Sequence, residues 1–119
     1  MTKTSIASSP RTSRRVWLVN RNEGHDYRNA KEFGEIIPLS EGMVSPLATD
    51  RFLERVKDRL DQVGPEDYVL LSGHLLLNAV VCGYLARRNG WLRVLTFLSK
   101  QRIYVPRFIE LRHLEELKP

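Results

Sequence analysis

The chain has a single cysteine, Cys82, in 119 residues. That excludes an intrachain disulfide framework, and the cysteine and three histidines do not fall at zinc-ligand spacing. Long apolar runs are also missing. The longest, Leu75 to Ala86, is broken by Asn78 and Gly83 and falls short of the roughly 18 residues that a membrane-spanning helix needs. The glycines form neither G-x-G-x-x-G nor G-x-x-x-x-G-K-[ST], so the dinucleotide and triphosphate fingerprints are absent. Residues 1–15 contain no acid and no apolar segment beyond Ile6-Ala7, unlike a secretory signal. These absences leave a cytoplasmic protein with a reduced cysteine and no indicated cofactor. Its length suits one domain with a real core.

Charge is present in quantity, with 19 Lys and Arg against 14 Asp and Glu, a net +5. It is unevenly placed. Lys3, Arg11, Arg14 and Arg15 give the first fifteen residues +4, whereas residues 20–67 carry −4 and residues 87–112 carry +6. Residues 1–15 therefore read as a disordered basic tail, and residues 16–119 as one electrostatically two-sided domain.

Val16 to Val19 and Tyr68 to Leu71 are continuous apolar, β-favouring runs, the pattern of strands covered on both faces. Glu35 to Leu39 reads as a short strand that Pro38 confines to an edge. Asn29 to Phe33 can form one helical turn closed by Gly34. Phe52, Leu53, Val56, Leu60 and Val63 share one face of a first helix, capped by Thr49 or by Ser45 before Pro46 and stopped by Gly64-Pro65. Leu75 to Asn89 forms a second helix, apolar nearly all round, with Gly83 implying close packing against a neighbour. Trp91 to Leu98 and Ile103 to Val105 form a strand and its antiparallel return. Leu111, Leu114 and Leu117 suggest a short C-terminal helix. The order implies a small Rossmann-like α/β domain with about three parallel strands, an antiparallel edge hairpin and right-handed crossovers.

In such sheets ligands bind beyond the carboxyl ends of the strands, where strand order reverses. Two loops are candidates for that edge: Asn20, Asn22, His25, Asp26 and Tyr27 after the first strand, and Ser72, Gly73 and His74 before the second helix. If they meet, they present a polar rim beside a helix N-terminus, which favours an anion. His74 and Asp26 are the plausible acid–base couple across that rim, and Ser72 is a plausible helix cap. Asn78 and Cys82 read as core residues.

The favoured function is a non-enzymatic accessory protein whose rim binds a small anionic ligand, a nucleotide or phosphate, or a protein partner. One alternative is nucleic-acid binding through Arg11, Arg14, Arg15, Lys100, Arg102, Tyr104 and Arg107, with charge for phosphates and rings for bases. A second is a small hydrolase or transferase with a histidine base. Helix 75–86 can additionally serve as a homo-oligomer contact.

Overall fold

The computed structural model describes residues 13–45 and 47–112. Five strands form one sheet in the order β2-β1-β3-β4-β5. They are β1 (Arg15–Leu18), β2 (Glu35–Pro38), β3 (Tyr68–Leu70), β4 (Trp91–Leu98) and β5 (Ile103–Glu110). The first four run parallel and β5 returns antiparallel to β4. The expected α/β domain with its edge hairpin is therefore present. There are four parallel strands rather than three, because the Pro38 strand joins the sheet at its edge in register with β1.

Strand β1 is paired on both edges, with β2 and β3, and both of its faces are covered by packed layers. Val16, Trp17, Leu18 and Val19 are all buried, which is why this run does not alternate with polar residues. On one face, Trp17, Val19, Val69 and Val94 pack against Phe52, Val56 and Leu60 of α1 (Thr49–Leu60) and Leu77, Val81 and Leu85 of α2 (Leu75–Asn89). On the other face, Val16, Leu18, Leu70, Leu95 and Tyr104 meet Tyr27 and Ala30, from the connection that contains the 3₁₀ turn Arg28–Phe33. One face thus carries two full helices and the other a single short turn.

Several local expectations change. Neither Thr49 nor Ser45 caps α1: Ala48 occupies the cap position without a side-chain bond, and the helix is held instead by its apolar face and by Arg59, which donates to the carbonyls of Pro38 and Leu39. Gly83 is not a close-packing glycine. It faces outward, and a Cβ placed there meets nothing within 4 Å. Helix α2 does end at Gly90, whose φ of 81° is the left-handed conformation a C-terminal glycine takes up readily. The suggested helix around Leu114 and Leu117 lies outside the described residues, as do Met1–Thr12 of the basic tail.

Asp67 is the buried polar keystone. It is 2% exposed and accepts from the backbone N–H of Arg15, the indole N–H of Trp17 and the backbone N–H of Gly64, at 3.0, 3.0 and 2.8 Å. Burying a carboxylate costs stability unless donors of this kind surround it.

Two substitutions follow from these environments. Asp67→Ala leaves three donors without their acceptor and should lower stability by about 3 kcal/mol, read as a reduced urea midpoint. Gly83→Ala removes a mid-helix glycine without a clash and should raise stability by about 0.5–1 kcal/mol in the same assay.

Candidate functional site

The connection after β1 leaves along the thinly covered face to reach β2, while α1 returns over the opposite face to β3. Strand order therefore reverses between β1 and β3, and a crevice opens above their carboxyl ends. The two candidate loops meet there. The N–H of Asn20 donates to Ser72 Oγ at 3.1 Å. Gly73 lies so close that a Cβ on it would come within 2.8 Å of Asn20 Cβ, and its φ of +80° also suits glycine alone.

Asn20 is buried and its side chain is occupied. Its Nδ2 donates to the Gly42 carbonyl and its Oδ1 accepts from the Ser40 hydroxyl, so it ties three loops together rather than facing a ligand. Asn78, also buried, holds the neighbouring loop by accepting from Ser72 N–H and donating to the carbonyls of Ser72 and His74. Ser72 is not the helix cap. That role falls to His74, whose Nδ1 accepts from the N–H of Leu76 at 3.1 Å. Among the described residues nothing accepts from the backbone N–H of Gly73 or His74.

The loop from Asn22 to Tyr27 is self-bonded. Asn22 Oδ1 accepts from Gly24 N–H, the Asn22 carbonyl accepts from His25 N–H, and Asn22 N–H donates to the Tyr27 hydroxyl. This geometry turns His25 inward. Its ring lies 4.7 Å from that of Tyr27 and 5.1 Å from that of Phe97. Its Nε2 is 3.0 Å from Tyr104 Oη, a hydrogen bond whose direction the imidazole tautomer sets. Burial pushes the Tyr104 phenol up to about 12, with the nearby Asp26 carboxylate adding to it.

The expected His74–Asp26 couple is not formed. Asp26 instead accepts a forked pair of bonds from the Arg28 guanidinium, at 2.8–3.1 Å, and another from Arg28 N–H. These bonds, the side-chain ones first, hold its carboxyl at about 2. Cys82 is half-buried and burial pushes its thiol up, which disfavours a thiolate. Among the described residues, no group of three or more His, Cys, Asp or Glu is placed to hold a metal ion.

Two cavities share His25 and Tyr27 as a common wall. The inner one, about 150 Å³, is lined by Asn22, Ser72, Gly73, Phe97 and Tyr104 among others. The outer one is an open groove of about 710 Å³, bordered by Arg21, Asp26, Arg28, Lys31 and Glu35. Phe97, Arg28 and Lys31 were not singled out from the sequence. The hairpin could have revealed the first: its four-residue turn sets Phe97 opposite Tyr104, hence on one face of the sheet.

The residues expected to bind nucleic acid do not form one surface. Arg14 and Arg15 stand at the amino end of β1, and Lys100 and Arg102 lie in the hairpin turn at the opposite edge. Tyr104 is buried on one face, while Arg107 pairs with Val94 and so falls on the helix-covered face. Arg11 lies outside the described residues.

The Asp26 pair gives a direct check. Its folded value lies below the ordinary 3.8. Whatever the pair contributes is therefore complete above that value and fades as pH falls toward about 2. In a carboxyl-detected NMR titration Asp26 should show a midpoint near 2, returning toward its ordinary value in Arg28→Ala.

No curated protein and no solved structure matches the chain. The family described as Phage Pam3 gp32-like protein matches residues 10–111, a stretch that takes in every strand, both helices and both loops of the crevice. The chain belongs to the Phage Pam3 gp32-like protein family.

Proposed function

We propose that this protein is a non-enzymatic accessory module that binds a small anionic ligand at the crevice between β1 and β3. The observation that carries this reading is the joining of the two loops through Asn20 and Ser72, which puts a cavity beside the start of α2. The N–H groups of Gly73 and His74 and the positive end of the helix favour an anion there. Size divides the roles. The inner cavity of about 150 Å³ is well below the roughly 300–1,000 Å³ of whole-ligand sites, so it suits a phosphate-sized group. The body of a nucleotide would lie in the outer groove, against Tyr27 and within reach of Arg21 and Lys31.

A binding role is favoured over catalysis because the titratable groups are already engaged. Asp26 is held by Arg28, and His25 faces a phenol that keeps its proton up to about 12. The outward Leu75 and Leu76, 78% and 44% exposed, support a protein partner or a second copy docking on the adjoining end of α2.

Thermal-shift measurements with inorganic phosphate and with mono-, di- and triphosphate nucleosides test this reading. A ligand at about one hundred times its Kd should add about 2.7 kcal/mol of stability, a rise of several degrees in Tm. His25→Ala and Arg21→Ala should each shrink the shift. No stabilisation by any of these compounds, or unchanged shifts in both variants, would remove the proposal.

A further inference from the structure

Tyr104 is buried, at 5% exposed, and among the described residues its hydroxyl has a single hydrogen-bond partner, His25 Nε2 at 3.0 Å. A buried O–H without an acceptor costs stability. Satisfying it requires the imidazole to accept, which places the proton of neutral His25 on Nδ1. The two side chains come from distant parts of the chain, the β1–β2 connection and β5. Both line the inner cavity of about 150 Å³.

Protonation of His25 reverses this bond. The imidazolium carries a proton on both nitrogens and has no lone pair to offer. Its Nε2–H must then donate to Tyr104 Oη, and the phenolic O–H loses its acceptor. An anionic oxygen in the cavity supplies a new one, and the positive charge gained by the ring attracts it. Imidazole is the side chain that changes charge between about pH 5 and pH 8. Of the groups packed against His25, Tyr104 keeps its proton up to about 12, and Asp26, held by Arg28, loses its own at about 2. Phe97 from β4 is apolar, and Tyr27 is a phenol of the same connection. Arg21, Arg28, Lys31 and Glu35 border the outer groove that His25 also lines. His74, the second imidazole of the crevice, is engaged through Nδ1 as the cap of α2.

We propose that Tyr104 is the residue that grips a tetrahedral oxyanion in the inner cavity, and that the protonation of His25 frees its O–H to do so. This rests on the anion-binding reading of the crevice and adds a ligand-binding residue and its regulation. Neutral His25 holds the hydroxyl for itself, whereas charged His25 hands it to the ligand. Affinity is therefore full below the imidazole range and is lost as pH rises through it.

Sulfate, whose charge is constant across this range, is the probe. It is titrated calorimetrically into the full chain at about pH 5 and about pH 8, with ionic strength fixed. A hydrogen bond to a charged group is worth about 10- to 150-fold, and sulfate should bind more tightly by that factor at the lower pH. Tyr104→Phe should weaken binding by the same factor at low pH and change it little at high pH, where His25 already holds the hydroxyl. His25→Gln supplies a partner that does not titrate and should bind sulfate equally at both. His74→Asn keeps a helix cap and should retain the pH dependence, which separates the two imidazoles. Reciprocally, sulfate should raise the pH at which His25 takes up its proton in a histidine NMR titration. Equal wild-type affinity at both pH values, or a Tyr104→Phe penalty that does not change with pH, would overturn this proposal and leave the anion-binding reading standing. No binding of sulfate at either pH would remove both.

Discussion

A buried carboxylate ties the sheet to the segment that feeds its third strand. Asp67 accepts one bond from the β1 backbone, one from the Trp17 indole and one from Gly64 in the turn after α1. Without those donors a carboxylate in that position would carry a large desolvation penalty. With them, the turn after α1 is locked against β1, and β3 must pair with β1 in a fixed register. The placement of β3 fixes the Ser72–His74 loop, and so the crevice beside Asn20 rests on a bond network at the other end of the strands.

The unequal layers decide what each face of the sheet presents. Two helices of 12 and 15 residues cover one face, and their apolar stripes seal it. The opposite face has only the β1–β2 connection, which folds over the carboxyl ends and buries Tyr27 and Ala30. Where that connection lies over the sheet, it walls the crevice with His25 and Tyr27. Where it stops, the Tyr68–Arg93–Phe108–Trp91 row is left facing outward. A right-handed crossover to each side of β1 demands connections on both faces, but the fold supplies a full helix for only one of them.

Much of this was legible along the chain. The unbroken apolar runs at Val16–Val19 and Tyr68–Leu71 identified the doubly covered strands, because burial on both faces removes the alternation that a half-buried strand shows. Pro38 marked the edge. Phe52, Val56 and Leu60 marked the buried face of α1. The Ser72-Gly73-His74 turn could be paired with the loop after β1 because parallel sheets put such loops at the same edge. Partners among polar side chains were less accessible. Asp26 sits near His74 in a plausible sketch of the rim, yet Arg28, two residues away, reaches it with a forked bond. Ser72 and His74 both have atoms able to cap α2, and the choice turns on Ser72 being drawn away by Asn20.

The sequence by itself determined the order of elements, the parallel core and the edge at which a crevice would open. Those follow from periodicity and turn chemistry, which act over a few residues. The tertiary structure decided which side chains share a space. Cross-strand register put Phe97 beside Tyr104 and Arg93 beside Phe108, and the missing second helix left one of these pairs covered and the other open. Such pairings join residues far apart in the chain, and only the packed sheet brings them within contact distance.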